Sequence, residues 1–141
     1  MIKFNKDDRP DLKEQIEYLN NKGRNLQVSE DYTKTFDFFN DDCIVEYKRR
    51  NCNHDTWPDF ILEKFKFDAN MEIANNKNIK FYYQNRFNDG KVWEWDITDM
   101  VKNNTMPKII EEEMNQYTYV DNPQKIIKKI YMLKLDMGYE I

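Results

Sequence analysis

Residues 43–51, "CIVEYKRRN", constrain this chain more tightly than any other stretch. A β-strand alternates its side chains between two faces, so Cys43, Val45 and Tyr47 share one side and Ile44, Glu46 and Lys48 the other. The first set reads as core. The second places a carboxylate and an ammonium side by side, with two guanidiniums directly after them at Arg49 and Arg50. On an exposed strand such a pair would be an ion pair worth about 0–1 kcal/mol. Flanking by Ile44, Val45 and Phe38 points instead to partly buried charge, which is rare without a partner or a metal.

The surrounding pattern supplies the elements. Pro10 to Asn21 reads as a helix: proline suits a first turn, Leu12, Ile16 and Leu19 recur at helical spacing, and "NNKG" stops it. "LQV" at 26–28 reads as a short strand and "YTKTFDFF" at 32–39 as a longer one. "NDD" at 40–42 then turns the chain into 43–50, so the two arms should form an antiparallel hairpin. A second helix is expected from Asp55 or Thr56, with Pro58 and Asp59 in its first turn, to "NNK" at 75–77. Trp57, Ile61 and Phe65 would form one row along it. "IKFYYQNRF", "NDG" and "KVWEWDI" read as strand, tight turn and strand. Residues 98–123 carry no decisive pattern, and "KKIYMLKLDM" reads as a strand with Tyr131, Leu133, Leu135 and Met137 on one face. These features predict a single α/β domain over residues 1–141, a mixed β-sheet flanked by helices.

Absences remove several chemistries. Three scattered glycines form neither a P-loop nor a dinucleotide fingerprint, and the one serine, Ser29, has no nucleophile elbow around it. Cys52 and His54, the only histidine, are too few ligands to close a structural zinc site. No apolar run approaches the ~20 residues of a membrane span, and the charged start "MIKFNKDDRPDLK" lacks a signal-peptide core, so no membrane partner and a cytoplasmic setting are expected. With net charge −4, any contact with nucleic acid must be local rather than spread over the surface. A chain with 17 Lys, 17 Asn and 2 Ala carries the bias of AT-rich codons, which fits a phage or bacterial genome. Carboxylates, lysines and aromatics remain.

Asp37 precedes Glu46 by nine residues, close enough for two hairpin arms to bring the carboxylates together. Two such oxygens, with the backbone carbonyl between Glu46 and Lys48, suit Mg²⁺ or Mn²⁺, which keep several waters. Lys48 would then orient a water or offset charge building on a phosphate, and Arg49 and Arg50 would grip the phosphodiester backbone.

"FDFF…CIVEYKRR" resembles the D…E-x-K core of the PD-(D/E)xK nucleases, whose restriction-endonuclease-like fold runs helix, three-strand meander, helix, strand. The resemblance covers roughly residues 10 to 100 and extends to small phage and bacterial resolvase-like members. It implies Asp37 and Glu46 as metal ligands and Lys48 as the catalytic lysine. It further implies Glu14 as an accessory acid on the first helix and Lys64 as the second-helix base. Phe36 stands where the family often has proline, and Asp41 and Asp42 in the turn compete with Asp37. The implied activity is metal-dependent endonucleolytic hydrolysis of DNA, with Lys66 joining Arg49 and Arg50 in a local basic patch and a second copy of the chain as a further partner. The competing expectation is a nuclease scaffold used for binding alone, which the acidic balance and the aromatics Tyr82, Tyr83 and Trp93, expected to be exposed, keep open.

Overall fold

The computed structural model describes residues 9–30, 35–116 and 124–141. Pro10 sits in the first turn of α1 (Pro10–Asn21), which ends as predicted before Gly23 with its φ of +83°. Three short-range strands follow: β1 (Gln27–Val28), β2 (Phe38–Phe39) and β3 (Cys43–Arg49). They form an antiparallel meander in which Phe38 pairs with Val45 and Phe39 with Ile44. After a loop come β4 (Asp59–Glu63), α2 (Lys64–Lys77), β5 (Lys80–Arg86), β6 (Val92–Asp96) and α3 (Ile97–Lys102). The chain closes with β7 (Ile109–Asn115), β8 (Lys125–Lys134), a 3₁₀ turn over Leu135–Met137 and β9 (Tyr139–Glu140).

Two sheets result, a six-stranded one in the order β1-β2-β3-β5-β6-β9 and a three-stranded one in the order β4-β8-β7. The larger sheet is mixed, because β3 and β5 run parallel from Cys43↔Lys80 to Arg49↔Arg86 while its other pairs are antiparallel. A parallel pair needs a crossover, and β4 with α2 supplies it. β3 therefore lies inside the sheet with both faces covered, and its first five residues are all buried. Cys43, Val45 and Tyr47 join Leu12, Leu19 and Phe38 in a core under α1. Ile44 faces the other core, with Phe60, Leu62, Met71, Phe81, Tyr83, Trp95 and Leu133 between the two sheets and α2.

The structure corrects five expectations. The strand expected at 32–39 is regular only at Phe38–Phe39, and residues 31–34 lie outside the described residues. The second helix begins at Lys64, not near Thr56, because Phe60 and Leu62 alternate inward on a strand paired with β8 (Phe60↔Leu133, Leu62↔Tyr131). Trp57 lies in the preceding loop, so the Trp57–Ile61–Phe65 row does not exist, and Trp57 and Phe65 are exposed. Leu135 and Met137 leave the strand for the 3₁₀ turn. The aromatics expected to be exposed are not: Tyr83 is buried, and Tyr82 and Trp93 are half-buried. The unreadable stretch 98–123 contains most of α3 and all of β7, with 117–123 outside the described residues.

Candidate active site around Glu46 and Lys48

Alternation along β3 sends Glu46 and Lys48 to the side of α2 and the second sheet, beside Tyr83 and Asn85 of β5 (Glu46↔Tyr83, Lys48↔Asn85). Glu46 is only 6% exposed. Its Oε1 lies 3.2 Å from the Nζ of Lys66, a residue of the first turn of α2. Burial pulls the Lys66 ammonium down, but Glu46, Tyr83 and Glu63 outweigh this and hold it above its ordinary value. Lys48 goes the opposite way. Burial lowers it first, the like charges of Arg50 and Lys66 lower it further, and Glu46 and Glu63 oppose them only in part.

Asp37 stands one residue before β2 and is 5% exposed. Its Oδ2 accepts a hydrogen bond from the Tyr47 amide at 2.9 Å, and its own amide donates to the Val45 carbonyl at 2.8 Å. The carboxylate is thereby fastened to β3 next to Glu46, so two buried acids occupy neighbouring positions on adjacent segments. Asp41 and Asp42 are exposed in the turn.

Glu63, which sequence reasoning did not single out, closes the far side of the cluster. Standing where β4 becomes α2, it accepts an ion pair from Lys128 of β8 at 3.0 Å and acts on both Lys48 and Lys66. Nothing in the local sequence marks it, since its position depends on the distant β4–β8 pairing.

The remaining candidates divide. Arg50 points inward and is fully engaged on three sides: Nε donates to Asn85 Oδ1 at 2.6 Å, and Nη2 to the Ile61 carbonyl at 2.8 Å and the Tyr83 hydroxyl at 3.1 Å. It shapes the site rather than reaching out from it. Arg49 is exposed on the α1 side, where its charge acts on Tyr47. Glu14 is also on the α1 side, 3.7 Å from Arg86, whose Nε donates to the buried Gln15. Lys64 opens α2 on the surface and pairs with Asp68 one turn on. Neither Glu14 nor Lys64 is among the charges that set Lys48, whereas Lys66, expected only in a basic patch, is.

Comparison with family models, curated proteins and solved structures finds no match for this chain. No helix among the described residues is long and apolar enough to cross a membrane.

One other group of ligand-type side chains is present among the described residues. His54, Asp55 and Asp89 place one ligand atom each within 4.8 Å of one another. His54 Nδ1 and the His54 amide both engage Asp89 Oδ2, and the imidazole stacks on Trp93. These contacts staple the loop after β3 to the β5–β6 turn.

Proposed function

We propose that this chain is a divalent-metal-dependent endonuclease acting on DNA phosphodiester bonds, with Asp37, Glu46 and Lys48 at its centre. The observation that carries the reading is a buried glutamate and a lysine of lowered proton affinity, two residues apart on one face of a covered strand. Burying an ionised carboxylate is costly, and structural needs alone would favour an apolar residue there. The order helix, antiparallel three-strand meander, crossover helix and parallel strand supports the PD-(D/E)xK resemblance.

The donor set fits Mg²⁺ or Mn²⁺. Asp37 and Glu46 offer hard carboxylate oxygens at neighbouring positions. When bound, the cation would supply charge stabilisation at the phosphate and a more acidic water. The chain's own groups do the rest. Lys48, whose ammonium gives up its proton more readily than an exposed lysine, holds and orients the attacking water. Lys66, 38% exposed, can leave Glu46 for an incoming phosphate oxygen, so one side chain neutralises the acid before substrate arrives and the phosphate afterwards. Glu63 and Lys128 hold the far wall.

The Lys66–Glu46 contact also favours a second reading, a nuclease scaffold that binds without cutting, since the ammonium already satisfies the carboxylate. A nicking assay separates the two. Wild type should cleave duplex, single-stranded or branched DNA with Mg²⁺ or Mn²⁺, and Glu46→Gln and Lys48→Ala should each lose about 100-fold or more. Wild type that cuts none of these substrates with either metal leaves the binding reading standing.

A further inference from the structure

Behind Arg50 the loop after β3 and the start of β4 enclose a cleft of about 370 Å³. We propose that this cleft receives a nucleobase of the bound strand, stacked on Trp57, while a neighbouring phosphate lies at Lys48 and Lys66. The proposal rests on the nuclease reading and gives it a substrate feature: an unstacked base beside the cleavage position.

Trp57 is 61% exposed although it lines the cleft, and no aromatic partner or indole hydrogen bond covers it among the described residues. Trp93 and Trp95 are spoken for, each donating its indole N–H to a backbone carbonyl at 2.8 Å. Phe60, Ile61 and Met132 give the cleft an apolar floor, and Asp59 adds a carboxylate. That lining suits a flat heterocycle, whose ring stacks and whose amino edge donates to an acid.

Continuity with the candidate active site comes through Arg50. Arg50 lines the cleft, and its guanidinium is anchored to Asn85, the Ile61 carbonyl and the Tyr83 hydroxyl. Lys48 and Arg50 are two residues apart in sequence, about 7 Å along an extended chain. A strand whose phosphate meets Lys48 therefore places an adjacent base at the mouth of the cleft that Arg50 and Trp57 both line. The overall charge of −4 agrees with a grip that uses stacking as well as cations.

The test measures binding of the full chain to a labelled single-stranded 12-mer and to the same strand made abasic, without divalent metal so that nothing is cut. Trp57→Ala should weaken binding to the ordinary strand about 5- to 100-fold, Trp57→Phe should retain most of it, and the abasic strand should bind wild type and Trp57→Ala alike. The strand should also quench the red-edge tryptophan emission of wild type and not of Trp57→Ala. Thermal melts serve as the folding control, and a side chain so exposed should leave them unchanged. Salt-dependent binding that ignores both the base and Trp57 overturns the cleft proposal and leaves the nuclease reading intact. Wild type that binds no single strand even at low salt overturns the cleft proposal, and the nuclease reading falls with it only if duplex and branched DNA are neither bound nor cut. If Trp57→Ala instead converts a dimer to a monomer with strand affinity unchanged, the cleft holds a second copy of the chain and the proposal fails.

Discussion

At the scale of single residues, the pairing of Glu46 with Lys66 makes the sharpest demand. Lys66→Met keeps the aliphatic stem and removes the charge that lies 3.2 Å from the buried Glu46 carboxylate. Stripping one partner from a fully buried pair costs about 3–5 kcal/mol. Lys66 is 38% exposed and water reaches it, so a loss on the order of 1–2 kcal/mol is expected, read from denaturant midpoints. Millimolar Mg²⁺ should restore part of that loss in Lys66→Met and do so more strongly than in wild type. Asp89 makes a second demand. The His54 imidazole, bonded to it, holds its carboxyl below the ordinary 3.8. A carboxyl with a depressed folded value stabilises above its unfolded value, and the contribution disappears as pH falls through the folded one. Wild type should therefore melt above Asp89→Asn at neutral pH, and the gap should close progressively below about pH 3.8.

Among the elements, the small strand β9 shows how a close approach fixes a residue. Gly138 sits against β6, where a Cβ would stand 2.5 Å from the Glu94 carbonyl oxygen and 2.8 Å from the Trp95 ring. The backbone oxygen cannot yield, so Gly138→Ala should destabilise by about 1–3 kcal/mol in thermal melts, through displacement of β9. That displacement would also loosen Tyr139, whose hydroxyl donates to the buried Glu94 at 2.6 Å alongside Arg24 and Gln84. Elements with local causes were legible in the sequence. Pro10, the apolar row of α1 and the "NDG" turn each act over a few residues, and these elements match. "DFILE" was not legible, because Trp57, Ile61 and Phe65 offer a helical row while Phe60 and Leu62 offer an alternation. Only pairing with β8, some seventy residues away, decides between them. Starting α2 at Lys64 rather than near Thr56 also turns its faces, which is why Lys66 and not Lys64 reaches Glu46.

For the molecule as a whole, the mixed α/β architecture follows from patterns readable along the chain, and so does the opposition of Glu46 and Lys48 to Cys43, Val45 and Tyr47. What the sequence could not disclose was the second sheet. It brings Glu63 and Lys128 to the Lys48 cluster, and together with α2 it covers the β3 face that a six-stranded sheet alone would leave to solvent. Glu14 shows the converse: on the α1 side it serves Arg86, and the sheet separates it from Lys48. The central claim is a cation held by Asp37 and Glu46, and calorimetric titration of Mg²⁺ into the DNA-free protein tests it most directly. The account predicts saturable binding by wild type, lost in Glu46→Gln and in Asp37→Asn and kept in Asp89→Asn. Wild type that takes up no Mg²⁺, or binding that survives Glu46→Gln and vanishes in Asp89→Asn, would contradict it.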